Sequence, residues 1–252
     1  MIADMSMPDP MLGLGTELFE ELYRPVSHGR WSLLPPEMVL TRGYWSPPAV
    51  VTSLRALVRD GATWMSLSPM ELESQAIGVQ HALGHVAVFG LGMGWAAAAS
   101  ALRESVTAVT VVERDPDVIA LHRDLDLFGR LPGGVGEKVR IVPGDALEWR
   151  PEAPVDLLMA DIWLPLVSDG RVEEVRRMHA NVGASAVYFW GQEMEIARHA
   201  RAAGRTIDAD GIRATVTEFG LPLVGPELPG YAECVSAAAA AWMRDRWLPE
   251  AV

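Results

Sequence analysis

The stretch His85-Val86-Ala87-Val88-Phe89-Gly90-Leu91-Gly92-Met93-Gly94-Trp95 decides how this chain is read. Five residues of strand character run into a glycine turn, and an alanine-rich segment of helical character, Trp95 to Arg103, follows at once. Glycine lets a backbone bend sharply and approach a ligand where a Cβ would collide, and the helix beyond opens with unpaired N–H groups. The pattern predicts a pocket for an adenosine-containing ligand, with Gly90, Gly92 and Gly94 against it.

Outward from this turn the alternation continues. Strands are predicted at His85 to Phe89, Ala108 to Val112, Lys138 to Val142, Val155 to Ala160 and Ser185 to Trp190. Helices are predicted at Pro116 to Phe128, Gly170 to His179 and Gln192 to Ala203. Near-continuous apolar strands imply helices on both faces, so the expected class is α/β: a Rossmann-like, doubly wound, mostly parallel sheet. A further strand is expected around Ile212 to Phe219, then a helix from about Tyr231 to Arg246. Upstream, residues 1–68 are broken by prolines and form a small irregular or β-containing N-terminal region or lid. A short helix is expected there at Thr16 to Tyr23, with strands at Met38 to Trp45 and Thr63 to Ser66. Ser68-Pro69 opens a helix running to His81, so the wound domain is taken as 69–252.

Three acidic residues follow three of the predicted strands. Glu113 stands about 20 residues beyond the glycine turn, where a carboxylate accepts both hydroxyls of a ribose. Asp115, before Pro116, is the expected N-cap of the next helix. Asp145, before Ala146, either accepts from an adenine amino group or caps a short helix. Asp161 ends the fourth strand; it orients or deprotonates an acceptor, contacts an amino group, or caps a loop. Because ligands in open parallel sheets sit beyond the carboxyl ends of the strands, these positions should converge on one crevice. A nicotinamide fingerprint would place glycine where Trp95 stands, which disfavours a dinucleotide.

The 252 residues are half hydrophobic and carry 21 Lys and Arg against 33 Asp and Glu, a formal charge of −12. Such a chain repels polyanions, so neither nucleic acid nor an acidic membrane is an expected partner. The single cysteine, Cys234, forms no internal disulfide and fits a reducing cytoplasm; no Cys/His spacing suggests a metal. Met1 to Pro10 carries two Asp and no Lys or Arg, unlike a secretory signal, and no apolar run approaches the roughly 20 residues of a membrane span. The nine tryptophans and the apolar content are compatible with a homodimer.

The glycine turn, Glu113, Gly144-Asp145 and Asp161 together resemble the class I S-adenosylmethionine-dependent methyltransferase superfamily over roughly residues 69 to 220, nearest to its spermidine synthase-like branch. That resemblance implies S-adenosylmethionine as cofactor, with Gly90, Gly92 and Gly94 at the methionine end, Glu113 on the ribose, and Asp145 and Ala146 near adenine. Asp161 would be catalytic or donor-binding. The branch also carries Asp-x-x-Asp-Pro after the fourth strand and an Asp in the glycine loop; here Leu164 and Met93 stand at those places. Losing two carboxylates undercuts the handling of a cationic diamine and donor, which favours methyl transfer to a small molecule over aminopropyl transfer. Other alkyl-transfer or cyclising chemistry, or donor binding without catalysis, are the alternatives.

On the acceptor side, Trp163 and Trp190 fall near strand ends and either wall a pocket, attract a cation or pack in the core. Gln192 and Glu193 follow the fifth strand and face the crevice or solvent. On the helix before the first strand, Glu71 and Gln75 share a face while Glu73 points elsewhere; Gln75 or Glu73 is expected to reach the ligand. His122, His179 and His199 are expected to be exposed or capping.

Overall fold

A computed structural model describes residues 16–249, so the stretch Met1 to Pro10 lies outside the described residues. The chain opens with α1 (Thr16–Leu22), then six short strands: β1 (Val26–His28), β2 (Trp31–Leu33), β3 (Glu37–Thr41), β4 (Ala49–Leu54), β5 (Ala56–Arg59) and β6 (Ala62–Ser66). Strands β1-β2-β5-β6 form an antiparallel sheet and β3-β4 a separate hairpin. This region is more β-rich than its prolines suggest. Its strands are three to six residues long, too short to establish an alternating pattern. The expected strand from Met38 to Trp45 stops at Thr41, and Tyr44 and Trp45 turn inward and are buried.

Then follow α2 (Pro69–Gln80), β7 (Gly84–Phe89), α3 (Trp95–Ala101), β8 (Val106–Glu113), α4 (Pro116–Leu125), β9 (Val139–Pro143) and β10 (Leu157–Ala160). The chain ends with α5 (Arg171–Val182), β11 (Ala186–Phe189), α6 (Gln192–Ala202), α7 (Ala209–Phe219) and α8 (Tyr231–Trp242). The order β11-β10-β7-β8-β9 is parallel throughout: the first strand sits centrally, the chain winds one way, then reverses. That order is Rossmann-like, and its reversal between β7 and β10 is where such sheets open a crevice.

Alternate residues of each strand enter different cores. Val86, Val88, Leu157 and Met159 pack with α3, α4 and the N-terminal β-sheet, whereas Ala87, Phe89, Leu158 and Ala160 pack beneath α5 to α8. Burial on both faces explains the unbroken apolar runs. Phe19, Trp31 and Leu57 of the N-terminal region share the first of these cores, so the roof is continuous with the wound sheet.

The strand expected at 212–219 is instead helix α7. Its Ile, Thr and Val residues have β propensity, yet Ile212, Thr215 and Phe219 are buried at helical spacing and Asp208 caps the start by accepting from Gly211 N at 2.9 Å. Among the described residues, no helix is long and apolar enough to cross a membrane, and no group of three or more His, Cys, Asp or Glu is arranged to hold a metal.

Candidate active site

The backbone ladder continues one residue past each strand. Gly90 N donates to Val112 O at 2.9 Å, Gly144 N to Glu113 O at 3.0 Å, Asp161 N to Phe89 O at 2.8 Å and Trp190 N to Ala160 O at 2.9 Å. These bonds fix the strand tips around a cavity of about 300 Å³. Gly90, Gly92, Gly94, Glu113, Asp145, Ala146, Asp161, Gln75, Trp163 and Trp190 all line it.

Close approach to backbone requires glycine at Gly90, and left-handed backbone conformation favours it at Gly92 as well. At Gly90, with φ +89°, a Cβ would stand 2.0 Å from the Asp161 carbonyl oxygen; at Gly92, with φ +48°, it would meet Met65 Sδ at 2.4 Å. Met65 belongs to β6, so the roof lies directly on the turn, and Met93 N donates to Met65 Sδ at 3.2 Å. The Met93 side chain is fully buried in the core behind the turn. The turn therefore presents backbone and no side-chain charge.

Glu113 faces this turn. Its Oε2 accepts from Leu91 N at 2.9 Å and its Oε1 from Asp115 N at 2.7 Å. Each carboxylate oxygen can accept two hydrogen bonds, so one position on each stays open beside the cavity. Asp115 caps α4, its Oδ1 accepting from Asp117 N, while its Oδ2 accepts from Trp31 Nε1 at 2.9 Å. Asp145 Oδ1 accepts from Leu147 N at 2.8 Å, capping a turn where a short helix was expected, and the residue also lines the cavity.

The opposite wall is built from α2 and the β10 tip. Gln75 Nε2 donates to Asp161 Oδ2 at 2.6 Å. Burial pushes the Asp161 carboxyl up to about 7, against the Gln75 hydrogen bond and the Arg171 charge. Glu71, one helical turn before Gln75, is raised to about 8 by burial and by the like charge of Asp161. Both carboxyls therefore hold protons well above the usual carboxylate range.

Two of the expected contacts lie elsewhere. Glu73 is buried on another face of α2, accepting from Trp45 N at 2.9 Å and from Ser46 N at 3.1 Å. Gln192 is buried behind β11, donating to Val224 O and Tyr231 OH, both at 2.9 Å. The two-residue spacing from Gln75, about 200° around the helix, rotates the first away, and the second starts a helix whose initial turn is covered by α8 and the 220s loop. Glu193 is likewise fully buried and faces neither crevice nor solvent.

His122, expected to be exposed or capping, is buried and its Nε2–H donates to the Gly92 carbonyl at 2.8 Å. Burial lowers it to about 4, so it is a neutral support beneath the turn. Arg171 was equally unanticipated. It is buried, stacks 4.1 Å from the Trp163 ring centroid, and donates to Trp190 O and Pro165 O, tying the β10 loop to the end of β11. The cation over Trp163 is thus the protein's own. Nothing in the sequence marks either residue, because their roles come from packing across elements.

No protein-family model matches the chain, and comparison with curated proteins finds no match. Structural comparison gives low likenesses. Spermidine synthase from Thermotoga maritima is 13% identical over 63% of this chain and 53% of its own, with a TM-score of 0.38. The Podospora anserina methyltransferase PaMTH1, bound to S-adenosylhomocysteine, is 20% identical over 71% and 70%, with a TM-score of 0.37. S-adenosylmethionine-dependent methyltransferases stand among its structural neighbours. The DhpI complex with S-adenosylmethionine is 18% identical over 49% of this chain, TM-score 0.36, and the match spans only 56% of the DhpI chain.

Proposed function

We propose that this protein is an S-adenosylmethionine-dependent methyltransferase acting on a small molecule. The observation that carries the reading is Glu113: a carboxylate whose inner lone pairs are taken by Leu91 N and Asp115 N and whose outer ones line a cavity beside a glycine turn. That arrangement suits a vicinal diol, and the free oxygen of Asp145 suits an exocyclic amine.

When bound, the donor supplies a methyl group on a sulfonium that departs as a neutral thioether, so its leaving group needs no acid. The chain contributes position and exclusion of water. The roof strands cover the turn, Gln75 orients Asp161, and Asp161 and Glu71 offer carboxyl oxygens to an ammonium group, while a proton leaving the acceptor goes to Asp161 once it is ionised. A formal charge of −12 and a covered cavity both favour a small acceptor over nucleic acid.

A spermidine synthase-like reaction is less well supported. Met93 points into the core, and Leu164 is half exposed where that branch has its second carboxylate. Calorimetric titration with S-adenosylhomocysteine tests the donor site. Glu113→Ala should weaken binding by about 30-fold, since a charged acceptor of two hydroxyls is lost; unchanged affinity rejects the ribose contact. In turnover with candidate acceptors, S-adenosylhomocysteine as product supports methyl transfer, and methylthioadenosine supports transfer of another carbon.

A further inference from the structure

The roof holds a cation that the donor site does not use. Trp31 on β2 lies directly opposite Arg59 on β5, and Trp64 of β6 meets Trp31 edge to face, with ring centroids 5.2 Å apart. The Arg59 guanidinium carbon stands 5.3 Å from the Trp31 ring and 5.6 Å from the Trp64 ring. All three residues line the same cavity as Glu113 and Asp161.

The neighbouring carboxylates have other hydrogen-bond partners, although the Arg59 charge is felt at Asp60. Asp60, next in sequence, has both oxygens held by Arg30, and Asp115 accepts from Trp31 and caps α4. Among the described residues Arg59 forms no ion pair, and its Nε is buried without a hydrogen-bond partner. A guanidinium packed beside two touching indoles is restricted in orientation and partly desolvated, and five N–H donors in a rigid fork match a carboxylate. An unpaired buried donor is costly unless a ligand completes it.

We infer that Arg59, packed against Trp31 and Trp64, is a carboxylate-binding subsite in the cavity roof. It rests on the donor reading only in that the carboxylate has two sources: the methionyl tail of the donor, or a second molecule that is itself a carboxylate. Arg59 is specificity-determining in either case, because it selects an acid over its neutral counterpart.

The experiment compares wild type, Arg59→Gln and Arg59→Lys by calorimetry with S-adenosylhomocysteine and with methylthioadenosine, which lacks the carboxylate. Tryptophan fluorescence then follows benzoate and its neutral analogue benzamide, each added to free and to S-adenosylhomocysteine-saturated protein. If the donor tail is the source, Arg59→Gln weakens S-adenosylhomocysteine by about tenfold and leaves methylthioadenosine unchanged. If a second molecule is the source, donor affinity is unchanged and benzoate, not benzamide, loses about tenfold. Arg59→Lys, which keeps the charge and loses the fork, should fall at or between wild type and Arg59→Gln in the responding arm. The subsite is refuted if Arg59→Gln binds both acids as wild type does, or if no acid binds better than its neutral counterpart. Failure of wild type to bind S-adenosylhomocysteine would instead overturn the donor reading, and benzoate on the free protein would still decide the subsite.

Discussion

Two carboxyls in this protein, Asp161 and Glu193, are pushed up to about 7 by the same cause, burial, and differ in their surroundings. In the cavity wall, Asp161 has one side-chain partner, Gln75, and the like charge of Glu71 beside it. Beneath α8, Glu193 sits among three tyrosine hydroxyls, accepting from Tyr231 at 3.1 Å, Tyr188 at 3.2 Å and Tyr44 at 3.3 Å. The tyrosines come from three distant parts of the chain and close the cage completely. The wall, by contrast, is left open toward a cavity. A perturbed carboxyl is a functional signal only where its surroundings leave room for a ligand.

The comparison breaks if the cage affects binding or if the wall governs stability alone. Glu193→Leu leaves Tyr44 without its carboxylate acceptor and Tyr231 without an acceptor for its proton, whereas Tyr188 keeps Ser74 O at 2.8 Å. Two orphaned buried hydroxyls should cost roughly 3 kcal/mol in urea unfolding. S-adenosylhomocysteine affinity of the folded fraction should stay within about twofold of wild type, because the cage does not touch the cavity. A large loss of affinity at unchanged stability would reverse the two roles.

The wall should show itself in pH dependence. Asp161 and Glu193 titrate near 7 and Glu71 near 8 in the folded protein, all above the ordinary carboxylate values, so between about pH 4 and 8 the folded state holds protons that the unfolded chain has released. Their contribution is complete below about pH 4 and is lost as pH rises through 7 to 8. The urea midpoint should fall across that window, and Glu193→Gln, Asp161→Asn and Glu71→Gln should each flatten part of the fall. Only the wall variants should alter donor binding. A bound sulfonium and ammonium favour ionised Asp161, so affinity for S-adenosylmethionine should rise by about tenfold from pH 5.5 to 8 if its titration shifts down by about one unit. Asp161→Asn should remove most of that rise; an identical pH profile in the variant would detach Asp161 from the donor.

The same division explains what was legible in the sequence. Strand tips are local: a strand, its last residue and the following turn are contiguous, so Gly90, Glu113, Asp145 and Asp161 could be placed from spacing alone. The wall's helix was half legible, since residues 71 and 75 share a face by helical geometry. The roof and the cage were not. Arg59 is one charge on a four-residue strand, and Trp31 and Trp64 reach it only through the β2-β5-β6 pairing. Tyr44, Tyr188 and Tyr231 stand 144 and 43 residues apart along the chain and meet only when α8 packs back. Side chains defined by tertiary packing leave no period to read. Helix α7 is illegible for the complementary reason: its β-branched composition points to a strand, while its buried residues stand at helical spacing.

Asp145 lies between the two kinds of carboxylate and offers the finest test of the distinction. One oxygen is committed to Leu147 N, as in a structural cap, while the residue stands exposed at the cavity edge, as a ligand contact would. Asparagine has a single acceptor oxygen, so Asp145→Asn must choose between the backbone and the ligand. If the cap keeps it, unfolding stability is unchanged and S-adenosylhomocysteine affinity falls by about threefold, the size of one modest hydrogen bond. The inosine analogue of the donor, whose base presents no exocyclic amine, should then bind wild type and variant alike. Equal losses for both nucleosides would mean that Asp145 shapes the turn and leaves adenine alone, placing it with the cage and not with the wall.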